Sequence, residues 1–271
     1  MKFIFMVLLF AINSLGFPSN FNDYGMKKRI RSMEKRIFLP EAPFVAVVER
    51  HPLFSIPEKD YCGATIITEE WFLSSAACFF TDKYHDPKNL TLENFAIVTG
   101  ASELPSVTKT SRHHIQEVHL STKDTDSVSE KAVLIKVQTP IEVDDATQKP
   151  IRIGMKKDKP KNAQLVNLYG FYLNEQEDQL TPLTATDMSI DSSCYQRFSD
   201  ISKEDVFCSE DYKNGQGQSI RVLTGTSVVR NGKLVGLVSN MFYADSVTKY
   251  YIILNIVDVH NWISSTIFQT S

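Results

Sequence analysis

The fold is decided by Tyr61-Cys62-Gly63-Ala64-Thr65-Ile66-Ile67 followed by Trp71-Phe72-Leu73-Ser74-Ser75-Ala76-Ala77-Cys78. Residues 64–67 are apolar and β-branched, the composition of a short strand. The cysteines that bracket the stretch are 16 residues apart, and the other two, Cys194 and Cys208, are 14 apart. Neither pair has the C-x-x-C spacing of a zinc site, so metal binding is a poor reading. Four cysteines are also too few for a scaffold that does without a core, and residues alone leave three pairings open.

Outward from this stretch the chain is punctuated by similar runs at 44–48, 95–98, 132–137, 164–171, 227–229, 234–239 and 250–253. No long helical period interrupts them, which predicts an all-β sandwich or barrel in place of alternating β/α units. Val228-Val229-Arg230 and Lys233-Leu234-Val235 flank Asn231-Gly232, a strong hairpin signal because both turn positions need positive φ. Only at the end do Val259, Trp262, Ile263 and Ile267 recur at helical spacing, predicting a C-terminal helix.

With 42% hydrophobic and 23% charged residues, the 271-residue chain has ordinary globular composition, which argues against a largely disordered one. A net charge of −3 gives no whole-chain case for a nucleic acid or an acidic membrane as partner. Lys2 precedes the apolar run of residues 3–12, with Ser14 and Gly16 at the exit, the pattern of a secretory signal peptide over 1–16. That run is too short for a membrane span, so no membrane insertion is expected. A secreted, extracellular chain meets oxidising conditions, and paired cysteines follow. Residues 17–36 form a basic leader, and Lys35-Arg36 before Ile37 looks like a processing site; an uncut basic loop fits the composition equally well. The main domain is then expected over 37–271.

The quoted stretch resembles that of the trypsin-like serine proteases, C-G-G-S-L-I followed by W-V-L-S-A-A-H-C with the same cysteine separation. His119 stands where the family often has a His-Pro pair, and Lys131-Ala132-Val133-Leu134-Ile135-Lys136-Val137 is similar to D-I-A-L-I-K-L. Lys149-Pro150-Ile151-Arg152-Ile153, Gly170-Phe171-Tyr172, Gly232-Lys233-Leu234-Val235-Gly236-Leu237-Val238-Ser239 and Trp262-Ile263 resemble later family motifs in the right order. The resemblance implies two six-stranded antiparallel β-barrels with a C-terminal α-helix, and the bridges Cys62–Cys78 and Cys194–Cys208. Other bridges common in the family are missing, including the one beside the nucleophile, where Ile220 stands.

In that family a serine attacks, a histidine takes its proton and an aspartate holds the histidine. The resemblance places these roles at Thr224, Ala77 and Lys131. Ala77 has no titratable group, and Lys131 reverses the charge that would stabilise an imidazolium. Thr224 keeps a hydroxyl but has no base to activate it. The oxyanion glycine is replaced by Val222, whose β-branched side chain resists the required backbone. The aspartate that would receive a new N-terminus is Leu223. Gln218 stands near the pocket floor, and Ser239, Asn240 and Met241 hold the cleft edge, where methionine fills a substrate's space.

A shifted register that would recruit Glu130 reverses every following side chain. His113 and His114 would face opposite ways in a strand; a surface loop is the plainer expectation, and His51, His85 and His260 carry no site. Asn89-Leu90-Thr91 is a glycosylation sequon. No cysteine precedes Cys62, so no cysteine-rich clip module is expected. The resemblance is therefore to a catalytically inactive serine protease homologue of the clip-less type found in insects. No cofactor and no metal are expected. It would bind other secreted proteins, such as active serine proteases or their inhibitors, as cofactor, decoy or regulator in haemolymph, seminal fluid or the gut. The alternatives are a residual or unconventional endopeptidase and a protease inhibitor of the same fold.

Overall fold

The structure, a computed structural model, describes residues 35–50, 60–80, 90–104, 111–121, 131–174, 179–197, 206–210, 220–243 and 249–270. The expected signal peptide, most of the leader, Asn89, Gln218, Glu130, His51 and His85 lie outside the described residues. Ser32–Ser271 form one compact unit.

In the first half, β2 (Val45–Arg50), β3 (Asp60–Ile66), β4 (Trp71–Ser75), β5 (Phe95–Thr99), β6 (Ser111–Leu120) and β7 (Ala132–Val137) close into a barrel in the order β2-β3-β4-β7-β6-β5. Such closure removes exposed sheet edges. Every residue of β4 and β5 is buried, so these strands face the barrel interior on one side and other protein on the other. Phe72 and Ile66 are wholly buried in the barrel core with Ile97, Val133 and Ile135. Burying a side chain of the size of Phe72 stabilises by about 3 kcal/mol.

Before the barrel, β1 (Lys35–Arg36) pairs with a strand of the second half. That half contains β8 (Leu165–Gly170), β9 (Tyr172–Asn174), β10 (Gln179–Leu180), β11 (Thr184–Ser189), a short helix α1 (Cys194–Arg197), β12 (Val206–Glu210), β13 (Ile220–Val222), β14 (Ser227–Arg230), β15 (Lys233–Tyr243) and β16 (Lys249–Asn255). Seven strands run in the order β1-β11-β8-β14-β15-β16-β12, and β10-β9-β13 form a separate sheet. Among the described residues the second half forms these two sheets and not a closed six-stranded barrel. Just past β11, Ile190 makes a single bridge to Ser209 of β12, supported by the Ser209 hydroxyl donating to the Ser189 carbonyl at 2.7 Å.

The Asn231-Gly232 hairpin joins β14 and β15 with φ of 50° and 70°, as the turn chemistry requires. The C-terminal helix α2 (His260–Gln269) buries Ile263 and packs Trp262 and Ile267 on the main core. Lys136 of β7 donates to the Thr270 carbonyl at 3.1 Å, which ties the end of this helix to the first barrel.

Residues 111–120 form a ten-residue strand, not the expected loop around His113 and His114. His114 is exposed, while His113 is half-buried with Nε2 at 3.1 Å from the Thr99 hydroxyl. Burial holds the His113 imidazole below the ordinary histidine range. On the same strand Arg112 makes two bonds, of 2.7 and 3.3 Å, to the fully buried Glu49 carboxylate.

Candidate active-site cleft

Strand β4 ends at Ser75, and the chain turns through Ala76, Ala77 and Cys78. The Ser75 hydroxyl caps this turn by accepting the Ala77 N–H at 3.3 Å, and the Ala77 methyl is exposed. The Ala76 N–H donates to the Lys131 carbonyl at 2.9 Å, so the residue heading β7 lies beside the turn. Cys78 bonds back to Cys62 with Cα atoms 6.1 Å apart, and Cys194 is bonded to Cys208 with Cα atoms 6.2 Å apart.

The second half meets this turn along a seam. The Gly63 N–H donates to the Thr224 carbonyl at 2.6 Å, and the Cys78 Sγ lies 3.7 Å from the same oxygen. The Thr224 hydroxyl donates to the Ser239 carbonyl at 3.3 Å, and the hydroxyls of Ser239 and Ser75 share a bond of 3.1 Å across the seam. Thr65 and Ser227 make a second hydroxyl pair at 2.6 Å. Ala77, Lys131, Thr224 and Ser239, drawn from four segments, are thereby gathered within a few residues of one another.

This approach requires glycine. A Cβ on Gly63 would come within 2.5 Å of the Thr226 nitrogen. A Cβ on Gly225 would overlap the Gly63 carbonyl and come within 2.6 Å of the Ser74 hydroxyl, at a φ of +85°. The tight turn at 224–225 is closed by Gly225 N–H to the Val238 carbonyl at 2.6 Å and Thr226 N–H to the Leu223 carbonyl at 3.1 Å.

Leu223 is buried in the main core, where it presents no charge. Val222 ends β13 opposite Tyr172, its N–H donating to the Tyr251 hydroxyl at 3.3 Å. Val222 and Met241 both pack against the core cluster of the second half, filling the cleft wall, while Asn240 is exposed and its Oδ1 accepts the Met241 N–H. Sequence reasoning missed Ser75 and Tyr251. The Tyr250-Tyr251 pair in a strand was the available signal, since a buried tyrosine hydroxyl requires a partner. The described residues contain no cluster of three or more His, Cys, Asp or Glu side chains able to hold a metal ion.

At the other end lies the expected processing site, Arg36–Ile37. Lys35 and Arg36 pair with Ala185 and Thr184, and Ile37 is buried with its N–H donated to the Leu183 carbonyl at 3.0 Å.

The family profile described as Trypsin matches residues 40–263. Rat cationic trypsin-3 is 24% identical over 209 residues, covering 76% of this chain and 80% of the rat protein. Among solved structures, the scabies mite inactivated protease paralogue S-D1 is similar with a TM-score of 0.68 at 20% identity, over 86% of this chain and 95% of that one. The scabies mite inactivated protease paralogue S-I1 has the same TM-score at 16% identity, over 88% of this chain and 99% of that one.

Proposed function

The chain belongs to the trypsin family, and from that premise we propose that it is a secreted, non-catalytic serine protease homologue that works by binding. Its partners are other secreted proteins, active serine proteases or their inhibitors, for which it acts as cofactor, decoy or regulator in an extracellular proteolytic network. The observation that carries this reading is the exposed methyl of Ala77, which by resemblance stands at the place of the general base, near a Thr224 hydroxyl already donated to the Ser239 carbonyl. Without a base the hydroxyl stays protonated, and loss of the full triad lowers the rate by a factor of about a million in the best-studied serine protease. The Val222 amide, at the oxyanion position by resemblance, is taken up by Tyr251, and a missing oxyanion donor removes about two to three further powers of ten. Two proteins of similar fold are named inactivated protease paralogues, which supports the same reading.

The test is incubation of the purified secreted protein with a diverse peptide library, beside a Thr224→Val variant. Indistinguishable, background-level cleavage is expected. Cleavage at a defined sequence that Thr224→Val abolishes would establish an endopeptidase instead. Titration against trypsin-like enzymes separates an inhibitor, which would suppress them stoichiometrically, from a cofactor or decoy, which would not.

A further inference from the structure

Six of the thirteen residues at 149–161 are lysine or arginine, against 29 of 271 in the whole chain, so the cations are concentrated well beyond the average. Three backbone features fix where they stand. The Leu234 N–H donates to the Arg152 carbonyl at 2.9 Å, and the Gly154 N–H donates to the Leu234 carbonyl at 2.7 Å, which staples the segment to β15. A single 3-10 turn, Lys156–Asp158, then follows. Arg152, Lys156, Lys157 and Lys161 are exposed along this path, and Arg230 and Lys233 reach it from the β14–β15 hairpin.

The acidic groups facing the patch are already engaged. Asp158 accepts the Met155 N–H at 3.0 Å and the Lys233 ammonium at 2.9 Å, contacts that hold its carboxyl below the ordinary carboxylate range. Asp258 accepts from Lys159 at 2.8 Å and also from the Asn255 amide. Asp191, at the far end next to Ile190, which bonds Ala163, accepts from the Ser193 amide and hydroxyl. Counting all three against Arg152, Lys156, Lys157, Lys159, Lys161, Arg230 and Lys233 leaves a surplus of four positive charges on one face of a chain whose net charge is −3.

We propose that this face is a binding site for a linear sulfated polysaccharide, seated across Arg152, Lys156, Lys157 and Lys161. The composition of the face selects the partner. Among the described residues of 149–161, Met155, 60% exposed, is the one large apolar side chain on the surface. The face therefore lacks the apolar core and aromatic anchors of a protein interface. It also lacks the apolar side of a membrane-surface helix and the aromatic platforms that stack nucleic-acid bases. What it offers is exposed cationic donors, spaced along a stapled backbone and its 3-10 turn, for charge-assisted bonds to repeated anionic groups. The site holds whether or not the cleft is catalytic.

Heparin, as the sulfated probe, is immobilised on a column and the full-length protein is loaded at about 0.15 M salt, where exposed charges are screened beyond roughly 8 Å. Retention is expected, with release at higher salt. The variant Arg152→Gln/Lys156→Gln/Lys157→Gln/Lys161→Gln should elute in the loading buffer. A control carrying Lys35→Gln, Arg50→Gln, Lys131→Gln and Arg221→Gln, which removes the same charge elsewhere, should elute with the wild type. Hyaluronan, which carries carboxylates but no sulfate, and phosphatidylserine vesicles should compete at least tenfold more weakly than soluble heparin. No retention of the wild type, equal elution of the two variants, or vesicles or single-stranded DNA competing as well as heparin would overturn the proposal.

Discussion

The seam between the two halves and the cleft that opens onto it share residues yet have opposite characters. Gly63, Gly225, Ser74, Ser75, Ser227 and Ser239 are buried or in van der Waals contact, and each is held by short bonds or by a steric limit that admits no larger side chain. Close by, Ala77, Lys131, Val222 and Met241 stand where the resemblance puts the places of chemistry, with side chains unlike those the family uses there. The difference teaches that the close approach of the halves is a requirement of the fold itself. The reacting groups hang from that frame without supporting it, so they can change while the frame stands.

The largest expected effect comes from breaking the frame. Gly225→Ala, with its φ of +85° and the Gly63 carbonyl in the way, should lower stability by about 4 kcal/mol or prevent folding. Gly232→Ala, with a φ of +70° but nothing within 4 Å, should cost only about 1–2 kcal/mol. Urea-unfolding midpoints of the pair measure the difference, and equal losses would show that the seam is not the constraint.

Restoring the chemistry probes the other side. The triple Ala77→His/Lys131→Asp/Thr224→Ser should remain about 10²–10³-fold slower in ester hydrolysis than the same triple with Val222→Gly, because the Val222 amide is engaged with Tyr251. Equal rates would mean that the amide is free to turn. Next in size, removing Cys62–Cys78 should cost about 3 kcal/mol, close to the cost of removing Cys194–Cys208, since the closed loops are of similar length. An excess for the first bridge, read from thermal unfolding, would measure its added hold on the seam.

The smallest effects are those of pH, and they lie outside the seam. The pKa of His113 is lowered by burial, so its stabilising contribution is present above the ordinary value of about 6.5 and is lost as pH falls below it. Asp158 is also lowered, by the Met155 N–H first and then Lys233, so its contribution is present above about pH 4 and is lost as pH falls through its depressed value. His113→Gln and Asp158→Asn should each flatten its own window of the stability–pH curve. A window left unchanged by its substitution would place the titrating group elsewhere.

The features legible in the sequence are those with a local cause. Asn231-Gly232 announces its turn because positive φ is demanded there, and the period of Val259, Trp262, Ile263 and Ile267 announces α2. The cysteine pairing followed from the family resemblance and is what the structure shows. Strand β6 was not legible. Of its ten residues only Ile115 is a buried hydrophobic, so the strand is held by its ladders to β5 and β7 and leaves little apolar signal. The pairing of Lys35-Arg36 with β11 was hidden for a related reason, because two exposed basic residues read as leader until a partner strand is supplied. Motifs point to Ala77 and Thr224, but the engagement of Val222 by Tyr251 depends on two segments distant in sequence.

The most direct test of the central claim, a kept frame around a cleft without a nucleophile, is the intact mass of the protein after prolonged exposure to a fluorophosphonate that labels activated serine-type hydroxyls. The account predicts an unchanged mass for protein that unfolds cooperatively. A stoichiometric adduct on Thr224, absent from Thr224→Val, would contradict it.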